Sequence, residues 1–503
     1  MTVDRRRKRK QRTIAVLAAV TGVLAGAGTA VAAPADPLAR FSQQELQWKS
    51  CDDPGLDPAG AQCADVTVPL NYAEPQGRTI TMAISRIPAT DPAQRRGIMM
   101  SNSGGPGGPG LDFMVEVGSG LTPQGRAAYD LIGMDPRGVG RSTPINCGWP
   151  RGFGLHSAGV DAGSFAESVA MQSELAARCA TAYGDALQHY NTRNTARDMD
   201  VIRGLLGADR ISYYGTSYGT YLGAVFMQMF PERSDRFVLD SSVDPHRYGA
   251  GMLRDMGPAN EAALDLWADW AAGHDGEFRL GATRDQVRAT LVKLIERAGR
   301  DPIKVGEYLL DDHWLPMVPY VGLDDPRKYE LIATQIRQIA DAAEGKTVQP
   351  GPELTTILAL VTEALPRDSS AQMAIMCGDV GVPRDPSWYW GNIEAARASQ
   401  PVFGAFSNNI TPCAFWAPPA EAPTAVGNSS PALIVQSTGD TRTTYGAAQA
   451  MRQALSGSRM VTLQDVPIHA IFGRYPNTCV YGAINSYFDT GVLPEADYSC
   501  RVD

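Results

Sequence analysis

Arg210-Ile211-Ser212-Tyr213-Tyr214-Gly215-Thr216-Ser217-Tyr218-Gly219-Thr220 is the stretch on which the reading of the fold turns. Its first half is β-branched and aromatic, as a short strand requires. The run from Thr220 to Phe230 is apolar almost throughout and stops at Pro231, as a buried helix does. Between them stands a G-x-S-x-G pentapeptide with Ser217 at its centre. A serine on a strand-to-helix corner sits on a tight, strained turn, and glycines without a Cβ let neighbouring chain pass close to it. The same corner presents the hydroxyl and leaves the first N–H groups of the helix free for a developing oxyanion. The pattern predicts a nucleophile elbow with Ser217 as nucleophile.

A serine hydroxyl is barely ionised at neutral pH, so it needs a base, and the base needs an orienting carboxylate. The chain has six histidines. His469 follows the strand-like Arg459-Met460-Val461-Thr462-Leu463, where an α/β-hydrolase places its base. Asp440 lies in Ser437-Thr438-Gly439-Asp440-Thr441, the loop after the preceding strand, Pro431 to Ser437. The order Ser217, Asp440, His469 is that of this fold. Asp240, after the strand that follows the elbow, is the rival acid. The oxyanion hole needs a second N–H beside that of Tyr218. Ser101-Asn102-Ser103-Gly104-Gly105-Pro106-Gly107-Gly108-Pro109-Gly110 follows an early strand and carries almost no side chains, so it can turn N–H groups inward. Gly105 is the expected donor and Gly104 the alternative. The loop lacks the G-K-[ST] ending of a phosphate cradle.

Outward from the elbow the first half alternates strands and helices. Gly97–Ser101, Tyr129–Met134 and Arg236–Asp240 read as buried parallel strands, which implies a mostly parallel sheet with helices on both faces. From about Asp244 to Gln400 the texture becomes helical, with Asn260–Ala272, Thr283–Ala298 and Tyr329–Ala343 as long amphipathic stretches and no convincing strand between them. The expected organisation is a leader over 1–32, the first part of the α/β core over 33–243, an inserted helical cap over 244–400 and the rest of the core over 401–503.

The leader expectation rests on Arg5-Arg6-Arg7-Lys8-Arg9-Lys10 and Arg12, the apolar run to Gly28, and Ala30-Val31-Ala32 as an A-x-A cleavage site. That run is short and broken by glycines, so a removed signal peptide and a secreted protein without a membrane anchor are expected. The formal charge is −9, and removing a leader with seven basic residues and one acid leaves about −15. Such a surface disfavours nucleic acid and anionic membranes as partners. Cys51, Cys63, Cys147, Cys179, Cys377, Cys413, Cys479 and Cys500 form no C-x-x-C pair and have no nearby histidine, so no metal is expected, and no cofactor. An even count in an exported chain argues for disulfides. Eight cysteines allow about a hundred pairings; the simplest is sequential, 51–63, 147–179, 377–413 and 479–500, each closing a local loop.

Gly104-Gly105-Pro106-Gly107-Gly108, Asp135-Pro136-Arg137-Gly138-Val139-Gly140-Arg141-Ser142 and Gly215-Thr216-Ser217-Tyr218-Gly219-Thr220 together resemble the secreted tripeptidyl aminopeptidases of high-GC Gram-positive bacteria. These are relatives of the proline iminopeptidases and have the α/β-hydrolase fold. Leu239–Pro245, Ala374–Asp379 and the segment from Phe403 to Cys500 extend the resemblance over most of the chain. It implies a serine exopeptidase that removes di- or tripeptides from substrates with a free N-terminus. It also makes Asp379 the candidate carboxylate for the substrate ammonium. Three departures stand out. Ser103 replaces the histidine that proline iminopeptidases carry before the two glycines, His469 lacks flanking glycines, and Thr444 stands where a proline is usual. An esterase or lactonase on the same scaffold is the second functional class, and a catalytically silent binding protein the third.

Overall fold

The computed structural model describes residues 38–365 and 368–503; the expected leader therefore lies outside the described residues. Eleven strands occur among them: β1 (Gln62–Pro69), β2 (Thr79–Ile87), β3 (Gly97–Asn102), β4 (Tyr129–Met134), β5 (Ile211–Thr216), β6 (Ser234–Asp240), β7 (Ile303–Val305), β8 (Tyr308–Leu310), β9 (Ala432–Ser437), β10 (Arg459–Leu463) and β11 (Tyr498–Cys500). Nine form one sheet in the order β1-β2-β4-β3-β5-β6-β9-β10-β11. β1 pairs antiparallel with β2, and β2 with β4; every later pairing is parallel. This is an α/β-hydrolase sheet, with β5, the elbow strand, near its centre.

The two faces of the sheet follow the period of two. Ile98 and Met100, Tyr213, Phe237 and Leu239, and Ile434 join one hydrophobic cluster. Met99, Tyr214, Val238, Leu433 and Val435 join another on the opposite face. Both faces are therefore covered, which is why these strands read as unbroken apolar runs rather than alternating ones. Fully burying one such side chain contributes roughly 1.5–3 kcal/mol before entropy is counted.

Between β6 and β9 the chain is largely helical, with long helices at Ala250–Gly273, Arg284–Arg300 and Tyr329–Ala343. These pack into a third cluster of their own, around Trp267, Leu291, Trp314 and Ile336. Three features differ from the sequence reading. The helix at Ala250 begins about two turns before Pro258 and runs through it, although proline usually marks a boundary. A small hairpin, β7–β8, stands inside the helical region and buries Ile303, Val305 and Leu310. β11 extends the sheet beyond β10 with only three residues. Cluster membership also crosses the drawn boundaries. Helix Ser370–Asp379 packs into the core of the main sheet, and Val402, Phe403 and Phe406 into the cap.

Four disulfides link Cys51–Cys63, Cys147–Cys179, Cys377–Cys413 and Cys479–Cys500, and no cysteine is free among the described residues. Among them no helix is long and apolar enough to cross a membrane.

Candidate active site

β5 ends at Thr216 and a helix begins at Tyr218. Ser217, between them, has φ 57° and ψ −126°, a backbone conformation that a non-glycine residue holds only under constraint. The constraint is visible: the Ser217 N–H donates to the Asp240 carbonyl at 3.1 Å, and the Thr220 N–H donates to the Ser217 carbonyl at 2.9 Å. The flanking glycines are sterically obligatory. A Cβ on Gly215 would lie 2.5 Å from the Gly219 carbonyl oxygen, and one on Gly219 2.5 Å from that of Asn102.

His469 and Asp440 come from the loops after β10 and β9. The His469 ring places Nδ1 2.9 Å from Asp440 Oδ2 and 3.0 Å from Oδ1. Asp440 is wholly buried and also accepts the N–H groups of Arg442 (2.8 Å) and Thr443 (3.0 Å), the Thr443 hydroxyl (3.0 Å) and the Gln436 amide (3.2 Å). Burial alone would push this carboxyl up. The contact with His469 and the backbone N–H groups outweigh it and hold the group below the usual carboxylate range. Ser217 and His469 line one cleft of about 230 Å³.

The rival acid, Asp240, does something else. Its Oδ2 accepts the N–H groups of Ile471 and Phe472, both at 2.9 Å, and the Tyr214 hydroxyl at 2.8 Å. Asp240 thus ties the segment just after His469 to the strand beside the elbow, while its carbonyl holds Ser217. Burial raises its carboxyl despite these donors.

The glycine-rich loop lies against the elbow. A Cβ on Gly104 would meet Ser217 Cβ at 2.8 Å. The Gly104 N–H already donates to Asn102 Oδ1 at 3.0 Å. The N–H groups of Gly105 and Tyr218 have no acceptor among the described hydrogen bonds, and Gly105 lines the cleft. Asp135 supports this loop from below by accepting the Gly110 and Arg141 N–H groups at 2.8 and 2.7 Å.

The remaining cleft wall is largely apolar (Phe153, Leu155, Met252, Leu253, Met256, Met376), with Tyr320, Gln372, Arg442 and Arg474 adding polar groups. No carboxylate belongs to its described lining. Asp379, expected there, is not brought to the cleft. It is buried, and its carboxylate accepts the Thr192 N–H at 2.6 Å and the Thr192 hydroxyl at 2.7 Å. Thr192 in turn meets the Tyr218 hydroxyl at 2.6 Å. Burial pushes the Asp379 carboxyl up to about 7 against the two Thr192 bonds. The residue underpins the elbow helix from behind, and its sequence neighbourhood held no sign of a partner nearly two hundred positions away. Sequence reasoning also missed Asp324, in the cap, whose carbonyl accepts the His469 N–H at 3.1 Å. Among the described residues no group of three or more His, Cys, Asp or Glu is placed to hold a metal.

The chain matches two family models: alpha/beta hydrolase fold over residues 99–289 and TAP-like protein over 400–500. It is 34% identical to a tripeptidyl aminopeptidase of Streptomyces lividans, over 94% of this chain and 89% of that one. It is 29% identical to the serine protease Hip1 of Mycobacterium tuberculosis, over 97% and 96%. A carboxylesterase B of M. tuberculosis is 27% identical over 95% and 94%. The glycine loop and elbow fall within the first model and the loops of Asp440 and His469 within the second, and the chain belongs to the tripeptidyl-aminopeptidase-like family of α/β-hydrolase serine peptidases.

Proposed function

We propose that the chain is a secreted exopeptidase that releases di- or tripeptides from free N-termini through an acyl-enzyme on Ser217. In this reading the neutral His469 takes the Ser217 proton through Nε2 as Oγ bonds to the substrate carbonyl carbon. The Gly105 and Tyr218 N–H groups hold the oxyanion. As the carbon–nitrogen bond breaks, His469 returns the proton to the leaving amine. Water, deprotonated by the same imidazole, then releases the acyl peptide and restores the Ser217 hydroxyl. Asp440 keeps Nδ1 protonated and stabilises the imidazolium. The observation that carries the reading is the Asp440–His469 contact at 2.9 Å in the cleft that Ser217 lines. The cleft of about 230 Å³ is smaller than the ~300–1,000 Å³ usual for drug-sized ligands, which suits a chain end better than a through-running polypeptide. Four disulfides support an oxidising, extracellular setting.

A second reading, ester hydrolysis, is favoured by the cleft's lack of a carboxylate to receive a substrate ammonium and by the similarity to a carboxylesterase. Di- and tripeptide p-nitroanilides, their N-acetylated forms and short-acyl p-nitrophenyl esters separate the two. The exopeptidase reading expects the free-amine peptides to be cleaved at least tenfold faster than the acetylated ones; parity would refute it. Ser217→Ala is expected to lower kcat by several orders of magnitude in a folded protein. Retention of more than a few per cent would remove Ser217 from the mechanism.

A further inference from the structure

The described lining of the cleft holds two guanidinium groups, Arg442 and Arg474, and no carboxylate. The first is committed. Arg442 stacks 3.4 Å over the Tyr320 ring, donates to the Tyr320 carbonyl and to Asn260 Oδ1 at 3.3 Å, and lies 3.8 Å from the Asp324 carboxylate. The second is open. Arg474 is exposed and has no ion-pair partner among the described residues; its side chain makes one long hydrogen bond, 3.5 Å from Nη1 to the His469 carbonyl. Glu116 feels its charge, yet burial outweighs that charge and leaves the Glu116 carboxyl raised, so this acid is a poor counter-ion. The backbone that carries Arg474 is held on both sides. The Gly473 N–H donates to the Tyr481 hydroxyl at 2.7 Å, and the Tyr475 N–H donates to the Ile471 carbonyl at 2.8 Å. The side chain thus starts from a fixed point, five residues past the base, and reaches back toward it.

We propose that Arg474 selects substrates whose leaving segment carries a carboxylate, on its first side chain or as its free C-terminus. The inference rests on the acyl-enzyme reading given above. In that mechanism His469 returns its proton to the leaving amine, so the leaving segment passes along the loop that carries His469, Ala470 and Arg474, all three in the cleft lining. The apolar side chains of Met252, Leu253 and Met256 are left to the acyl segment. A guanidinium offers forked N–H donors that match a carboxylate in a bidentate pair, and no acid of the lining competes for it. The enzyme is then suited to short peptides that end, or continue, in an acidic group just beyond the cut.

Three peptides with one common acyl segment test this, with glutamine amide, glutamate amide or free-acid glutamine as the leaving residue. Each kcat/KM is divided by that of the glutamine amide within the same enzyme variant, so a general loss of activity cancels. At least one carboxylate is expected to raise kcat/KM of the wild type by about fivefold, chiefly through KM; the one that does so names its source. R474Q should abolish the preference and R474E should reverse it. A further pair moves the favoured carboxylate two residues on, about 7 Å along an extended chain and still within a Debye length of about 8 Å at physiological salt. Direct contact gives no gain there. An equal gain at both positions marks a diffuse field and overturns the proposal, as does a wild type without preference or a preference that survives R474Q. If esters are cleaved and no peptide is, the exopeptidase reading fails by itself. The proposal is then decided with the same variants on acyl esters of 4-hydroxybenzoate against those of 4-hydroxybenzamide.

Discussion

The two candidate acids give the sharpest test of the site, because the structure assigns their replacements very different costs. In Asp440→Asn one carboxylate oxygen becomes an NH₂ group among five donors: the Arg442 and Thr443 N–H groups, the Thr443 hydroxyl, the Gln436 amide and His469 Nδ1. The amide oxygen satisfies the most donors by facing the two backbone N–H groups. Its NH₂ then points at His469 Nδ1 and selects the tautomer with hydrogen on Nε2, which cannot accept the Ser217 proton. Loss of the correct tautomer costs on the order of 10⁴ in kcat, or roughly 5 kcal/mol of transition-state stabilisation. In Asp240→Asn the amide oxygen takes the place of Oδ2 and keeps the bonds from Ile471, Phe472 and Tyr214. Only the Ser241 hydroxyl at 3.2 Å faces the new NH₂, and a hydroxyl can accept as well as donate. Weaker, uncharged bonds cost about 1–2 kcal/mol of stability, partly offset because burial already disfavours the Asp240 anion. The expected loss in kcat is no more than about tenfold. The assay is kcat and KM on a tripeptide p-nitroanilide for both variants, with thermal melts by circular dichroism as the folding control. Equal losses, or a larger loss for Asp240→Asn in a folded protein, would refute the assignment of Asp440.

Two further outcomes follow from the surrounding structure. Asp379, raised to about 7 by burial, binds its proton more tightly folded than unfolded, so its stability contribution is full below pH 4 and is lost as pH rises to 7. Asp379→Asn should therefore gain on the wild type between pH 4 and pH 8, by at most roughly 4 kcal/mol; a difference in Tm that stays flat with pH would refute this. Removing the Cys479–Cys500 bond with a double serine variant opens a loop of 21 residues and should cost roughly 3 kcal/mol. Since that bond joins the helix after His469 to β11, kcat should fall with stability, and a variant with unchanged Tm would overturn the tether.

The elbow was legible because its demands are local. Gly215 and Gly219 each face a carbonyl oxygen 2.5 Å from where a Cβ would sit, and both stand within two residues of Ser217. The sheet was legible for a related reason: strands buried on both faces leave long apolar runs such as Tyr129–Met134. β7, β8 and β11 are three residues each, too short for any period to show, and Pro258 masked the true start of the first cap helix. The positions of Asp440 and His469 were readable from chain order, since the fold puts such loops at the same end of parallel strands. What a carboxylate touches is not readable in that way. Asp379 turns to Thr192, Asp240 to Ile471 and Phe472, and Asp324 to Arg442, each across at least a hundred positions of sequence. Three acids thus hold the elbow helix, the base loop and the cap in register, while none stands in the described lining of the cleft itself. A substrate ammonium would therefore have to be met by backbone carbonyls or by acids beyond the walls. Asp112 and Glu116, which share an adjoining cavity with Ser103 at the cleft's edge, are the first to substitute if free-amine peptides prove to be the substrates.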